Sequence, residues 1–343
     1  KSDMLQSIGW LSRQCQHVWN DAKKIQIPKS YRRFDSIVVN GMGGSALGAH
    51  IIQALYADKL SVPFYVINSY LLPSFINHRT LYLVSSYSGN TEEPLNTVRP
   101  ALKRKAKVMI IAGGGKLAEM KERYRLPGYI FEPIYNPSGQ PRIGLGYSIF
   151  GQWMLFQKVG ALRLTGAQAK SIIDYTRRNA KKLSVESGSK NNVAKQLAKK
   201  LHGKIPVIVG AEHLAGNAHT FANQVNENAK CFSSYFLISE LNHHLIEGFT
   251  YPKSNPKNLH FIFFESKLFH KRNQARFSIT QKILRKKNIS YSSYSCTAGN
   301  RVLQSFETLL VGSYISFYLS MLSDIDPAPI PNVDYLKNQL QKI

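Results

Sequence analysis

Two short stretches carry residue types suited to holding an anion. GMGGS (residues 41 to 45) and SSYSGNT (85 to 91) each place small or hydroxyl-bearing residues directly after an apolar run, where a strand would end and a helix begin. Unpaired N–H groups at a helix N-terminus, helped by hydroxyls and by glycines that let the backbone come close, bind phosphate well. The same residues have simpler uses. Ser, Asn and Thr cap helices, and glycines permit tight turns. GMGGSA lacks the last glycine of a GxGxxG fingerprint, and the stretch lacks the lysine of a Walker A loop. What joins the two stretches is placement. In a parallel sheet the strand C-termini gather at one edge, where ligands bind in open α/β folds. Ser45, Ser86, Ser88 and Thr91 can then converge on one phosphate, with Gly43 and Gly44 beside them.

The elements that must position these residues are legible as alternation. SIVVNG (36 to 41), PFYVIN (63 to 68), LYLVSS (81 to 86), KVMIIAG (107 to 113) and GYIFEPI (128 to 134) have strand length and composition. Helical patterns separate them, one from about Ser45 to Tyr56 and another over TEEPLNTVRPALKRK. This is the signature of a parallel sheet covered by helices. After the polar segment YNPSGQPRIGLG (135 to 146) come a helical run SIFGQWMLFQKVG and two polar helices. The pattern then resumes with the strand VIVG (207 to 210), the helix AEHLAGNAHTFANQVNENAK, and the strands NLHFIFFE (258 to 265) and ISYSSYS (289 to 295). The expected class is α/β, two doubly wound, flavodoxin-like parallel-sheet domains, divided as 1–155 and 156–343. The halves resemble each other: VVNGMGGSALGAH in the first matches VIVGAEHLAGNAH in the second. Only the first keeps GGS at the turn, and nothing like SSYSGNT follows LHFIFFESK.

Length supports two domains, since a chain of 343 residues exceeds the size at which one core keeps growing. Three widely spaced cysteines, Cys15, Cys231 and Cys296, form neither a disulfide framework nor a metal-binding CxxC pair. A reducing cytoplasm is the expected compartment, and no metal is expected. TLLVGSYISFYLSMLS (308 to 323) is shorter than the roughly 20 apolar residues of a membrane span, and reads as a buried core helix. KSDMLQSIGWLSRQCQ lacks the apolar centre of a secretory signal. The net charge of +25 raises nucleic acid as a partner. But its lysines and arginines fall in short groups, KRKAK, RRNAKK, KQLAKK and LRKKN, on predicted solvated faces without an aromatic box or zinc spacing. Attraction of small anionic substrates accounts for the charge, and nucleic acid is not expected.

The pairing of GMGGS with SYSGNT resembles the sugar isomerase (SIS) domain, whose hydroxyl-rich loop holds the phosphate of a sugar phosphate. A narrower resemblance follows from PRIGLGY (141 to 147), NQVNENAK (223 to 230), ELNHHLIEG (240 to 248) and DPAPIPNVDYLK (326 to 337), in that order. These are similar to the bifunctional phosphoglucose/phosphomannose isomerases, over nearly the whole chain. The resemblance implies an aldose–ketose isomerase that works through a cis-enediolate without a cofactor. Such a reaction needs a base over the sugar edge, a cation beside its oxygens and an acid/base to open the ring.

Each role then falls on a residue with a plainer reading of its own. Glu227 lies near the C-terminal end of a predicted helix, where a carboxylate opposes the dipole. By position alone it is a surface or capping residue; the resemblance makes it the base. Arg142 in a loop is ordinarily solvated, and the resemblance places it against the substrate. His243 and His244 lack a third ligand at zinc spacing. The resemblance assigns ring opening to His243, supplied from a neighbouring subunit, which implies a homodimer. Lys337 reads as a solvated lysine, and the resemblance makes it an assistant in ring opening. Ala328 departs from the threonine common in relatives, a hydroxyl associated with mannose 6-phosphate. Glucose 6-phosphate is therefore the substrate expected first. The alternative is a non-catalytic sugar-phosphate regulator, against which stand the four candidate catalytic residues and the lack of an appended DNA-binding module.

Overall fold

The computed structural model describes residues 3–342. β1 (Ser36–Asn40), β2 (Phe64–Ile67), β3 (Thr80–Ser86), β4 (Lys107–Ala112) and β5 (Gly128–Ile130) form a parallel sheet in the order β2-β1-β3-β4-β5. All seven residues of β3 are buried, as a central strand covered by helices on both faces requires. β6 (Ile205–Gly210), β7 (Ser234–Leu237), β8 (Leu259–Glu265) and β9 (Ser290–Ser295) form a second parallel sheet, ordered β7-β6-β8-β9. Each sheet reverses direction beside its first strand. The doubly wound fold therefore opens a crevice at the strand C-termini, between β1 and β3 in one half and between β6 and β8 in the other.

Two strands differ from expectation. β5 ends at Ile130 rather than continuing through residue 134. Phe131 N–H still donates to the Ala112 carbonyl at 2.9 Å, but Pro133 has no N–H to extend the ladder. β7 was missed altogether. Its four residues, SYFL, are all half-buried at the sheet edge, so no alternation of buried and exposed positions marks them in the sequence.

The helices follow their apolar faces closely. The Arg301–Leu322 helix is buried without interruption from Gln304 to Ser320 and packs against the Ala215–Ala229, Val193–Leu201 and Gly166–Leu183 helices. Some of its serine hydroxyls donate within the helix, Ser313 Oγ to Leu309 O at 2.8 Å and Ser320 Oγ to Phe317 O at 2.7 Å. It is a core helix. Among the described residues no helix is long and apolar enough to cross a membrane. The Leu145–Lys158 helix, which spans the expected division at residue 155, packs on the Leu11–Asp21 and Gly44–Tyr56 helices. Arg177, Arg178, Lys181, Lys182, Lys199 and Lys200 are exposed, consistent with basic groups that lie on solvated faces.

Candidate active site

β1 and β3 deliver their loops to one place. Gly43 adopts φ +46° and forms the N-cap of the Gly44–Tyr56 helix, a conformation that costs glycine nothing and a side chain strain. Ser45 Oγ accepts from the Tyr87 N–H at 2.7 Å, while its carbonyl accepts from Ser85 Oγ at 3.0 Å and Gln152 Nε2 at 2.9 Å. Ser86 Oγ and Thr91 Oγ1 lie 2.7 Å apart, and the Gly89 N–H donates to Ser86 Oγ at 3.1 Å. Ser88 is exposed and its Oγ accepts from the Asn90 N–H at 3.2 Å. Thr91 is the N-cap of the Glu92–Lys103 helix without making a side-chain capping bond. The hydroxyls therefore bind one another and the loop. Glu92 is turned to other use, accepting from Tyr70 Oη at 3.0 Å.

The glycine turn also abuts the catalytic candidates. A Cβ on Gly44 would stand 2.6 Å from the Pro141 carbonyl carbon and 2.8 Å from the Arg142 nitrogen, so only glycine lets these two loops touch. Arg142 is 1% exposed. Its guanidinium has five N–H donors, and five bonds surround it. Nε donates to Asn228 Oδ1 at 2.6 Å; Nη1 donates to Gln140 Oε1 at 2.6 Å and Glu227 Oε2 at 3.1 Å; Nη2 donates to the carbonyls of Pro327 at 2.7 Å and Ala328 at 3.0 Å. The longest of these is the one to Glu227, and it is also an ion pair.

Glu227 sits two residues before the end of the Ala215–Ala229 helix. Burial raises its pKa above the ordinary glutamate value, opposed by the charges of Arg142, Lys230 and Lys337. Burial likewise lowers that of Arg142, opposed by Glu227. A carboxylate with a raised pKa is a stronger base than a solvated one, and the adjacent arginine favours its charged form. Lys337 is exposed on the Pro331–Leu340 helix, yet its charge reaches Glu227. His243 and His244 are both exposed. His244 Nε2 lies 3.9 Å from Glu240 Oε1, and no hydrogen bond, ion pair or ring contact among the described residues joins His243 to the Arg142–Glu227 cluster. Nor do any three His, Cys, Asp or Glu residues among those described gather as a metal site.

Four supporting residues escaped the sequence reading. Asn228 bonds Arg142 through Oδ1 and Ser316 Oγ through Nδ2, the latter at 2.9 Å. Gln224 Nε2 donates to the Arg142 carbonyl at 3.0 Å and to Ser313 Oγ at 2.9 Å. Gln140 accepts from Arg142, and Lys230 Nζ donates to the carbonyls of Glu227 at 2.7 Å and Pro327 at 3.1 Å. The available signal was the spacing of Gln224 and Asn228, four apart on one helical face and both fully buried. Toward Arg142, Ala328 contributes its carbonyl, a contact that threonine would keep.

Comparison with known proteins adds an independent line. Residues 190–340 match the model of the bacterial phospho-glucose isomerase C-terminal SIS domain. The chain is 32% identical over 99% of its length to a bifunctional phosphoglucose/phosphomannose isomerase of Caldicellulosiruptor bescii, covering 99% of that protein. A protein of the same description from Thermoplasma volcanium is 30% identical, with 92% of this chain and 96% of the relative covered. The solved tagatose-6-phosphate ketose/aldose isomerase of Escherichia coli shares the fold, with a TM-score of 0.71 and 14% identity over 95% of this chain and 93% of that one.

Proposed function

This chain belongs to the bifunctional phosphoglucose/phosphomannose isomerase family, and from that premise we propose how its residues carry the reaction. It is a sugar-phosphate aldose–ketose isomerase. Glucose 6-phosphate and fructose 6-phosphate are the interconverted pair, with mannose 6-phosphate as the second aldose. The phosphate occupies the crevice between β1 and β3, held by Gly43, Gly44, Ser45, Ser86, Ser88 and Thr91. Glu227 takes the proton from one carbon of the opened sugar and returns it to its neighbour. As Glu227 becomes neutral, its hold on Arg142 Nη1 weakens, and that N–H turns to the enediolate oxygen. The guanidinium thus stabilises charge as it develops, with its other four bonds keeping it in place. Lys337 assists ring opening.

His243 serves the crevice of a second copy of the chain. Its exposure and its lack of a side-chain partner among the described residues support this, as does the C-terminal helix, which leaves Val333, Tyr335, Leu336 and Leu340 exposed. Such a dimer would act in the cytoplasm. The observation that carries the reading is the 3.1 Å contact between Arg142 and a buried Glu227, set against the Gly44 turn. Glu227→Gln tests it: isomerisation followed by NMR should fall by about three orders of magnitude or more, since a general base is removed, while binding of fructose 6-phosphate stays within a few-fold. An active Gln variant would overturn the assignment.

A further inference from the structure

Tyr87 stands between two loops of the site, and its two ends bond to different ones. Its N–H donates to Ser45 Oγ at 2.7 Å and its carbonyl accepts from the Gly113 N–H at 2.9 Å, so its backbone belongs to the edge where β1, β3 and β4 end. Its hydroxyl accepts from Asn136 Nδ2 at 2.6 Å, in the segment that leads to Arg142. The ring between them is held on several sides. It meets Phe131 edge-on, with centroids 5.3 Å apart, and Phe131 stacks in turn on Tyr147 at 5.0 Å. A Cβ on Gly144 would stand 2.5 Å from Tyr87 Cε2 and 2.9 Å from its Oη, so glycine two residues after Arg142 makes room for this ring.

Asn136 passes the contact on. It is buried, and both protons of its amide are engaged: Nδ2 donates to Tyr87 Oη and to the Gln140 carbonyl, the latter at 3.0 Å. A carbonyl only accepts, which fixes the orientation of the amide, and Oδ1 takes the Ser138 hydroxyl at 2.9 Å. The Gln140 carbonyl also accepts from the N–H groups of Ile143 at 3.0 Å and Gly144 at 3.1 Å. Three donors thus converge on one oxygen and close the turn that carries Arg142. The side chain of the same glutamine takes Nη1 of Arg142 on its Oε1 at 2.6 Å, and that nitrogen also meets Glu227. From Ser45 to Nη1, each step is a hydrogen bond or a covalent link within one residue.

We propose that Tyr87 is a positioning residue for the reaction: through Asn136 and Gln140 it sets Nη1 of Arg142 in register with the loop that holds the phosphate. Gln140 and Glu227 share the two protons of that nitrogen, so the way Gln140 holds it decides how Nη1 is aimed at the carboxylate and, as the proton moves, at the substrate oxygen. Burial pushes the pKa of the Tyr87 hydroxyl up to about 12, against the opposing bond from Asn136. The phenol therefore stays neutral where a carboxylate titrates, and it acts by geometry alone. This role rests on the assignment of Arg142 and Glu227 to the reaction; the contacts themselves do not.

Tyr87→Phe removes Oη and keeps both the ring on Phe131 and the backbone N–H on Ser45. With glucose 6-phosphate as substrate we expect kcat to fall about ten-fold while KM stays within about two-fold; a purely structural role would lower the melting temperature and leave kcat unchanged. Gln140→Leu approaches from the other end. It should lower kcat as well, and adding Tyr87→Phe to it should cost less than about a further two-fold, because the two changes break one path. A readout independent of turnover is the Nε–H resonance of Arg142, identified by its loss in Arg142→Lys. Inorganic phosphate should shift it in the wild type, and Tyr87→Phe should reduce that shift by about half or more while phosphate binds as before. Undiminished kcat in Tyr87→Phe, independent losses in the double variant, or a phosphate-induced shift indifferent to the hydroxyl would each overturn the proposal. A wild type that turns over no hexose phosphate yet shows the hydroxyl-dependent shift would overturn the catalytic assignment and leave the positioning of Arg142 intact.

Discussion

Arg142 spends its whole donor set on the protein, and that shapes what each side chain near it can do. Lysine in its place has three donors and no fork, so it cannot serve Asn228, Gln140 and the carbonyls of Pro327 and Ala328 together. Arg142→Lys should reduce kcat by a factor of about 10² to 10³ and lower stability by about 1–3 kcal/mol through unpaired buried acceptors, measurable by steady-state assay and urea unfolding. Glu227 gives a pH prediction. Its pKa is raised by burial and held back by Arg142, Lys230 and Lys337. A base works only when ionised, so kcat/KM should fall as pH drops through a value above that of an ordinary glutamate. Lys337→Met removes one opposing charge, raises the Glu227 pKa further and moves the acid limb of the remaining activity to higher pH. A limb that stays in place would show that Lys337 does not act on this carboxylate.

At the scale of elements, the site exists because two loops and one helix end are pressed together. The GMGGS turn, read from composition, touches PRIGLGY only because Gly44 has no Cβ. Gly44→Ala should therefore push the Pro141–Arg142 backbone away from the phosphate loop. The expected result is a loss of about 1–3 kcal/mol from overpacking and an increase in KM for the phosphate substrate, checked by thermal unfolding and kinetics. Unaltered KM would mean that the two loops act independently. The Arg301–Leu322 helix matters here as well, because its Ser313 and Ser316 hold Gln224 and Asn228, which in turn hold Arg142. A core element with serines on a buried face is a scaffold for the guanidinium as much as a hydrophobic support.

For the molecule as a whole, the decisive question is whether one chain suffices. His243 faces solvent, away from any contact with the Arg142–Glu227 cluster. If it crosses to a partner, Glu227→Gln and His243→Ala variants, each nearly inactive, should complement one another after mixing and subunit exchange. Half of the randomly assembled dimers would be hybrids with one intact site, so about a quarter of wild-type activity should return. No recovery, with hybrid dimers verified by native mass spectrometry, would place His243 in its own chain's site.

Much of this was legible in the chain. Strands such as TLYLVSS, buried on both faces, announce a parallel sheet, and the meeting of GMGGS with SSYSGNT at its edge follows because strand C-termini must gather where the loops leave them. β7 was invisible, since an edge strand buried to the same degree at every residue carries no pattern. The roles of Glu227, Arg142, His243 and Lys337 came from resemblance rather than from spacing. Tertiary structure alone brought Arg142 to Glu227, 85 residues apart in sequence, and filled every donor of the guanidinium. It also set His50 against His219 and left a cavity beside them. These are long-range contacts between elements, and local propensity, which encodes each element separately, carries no record of them.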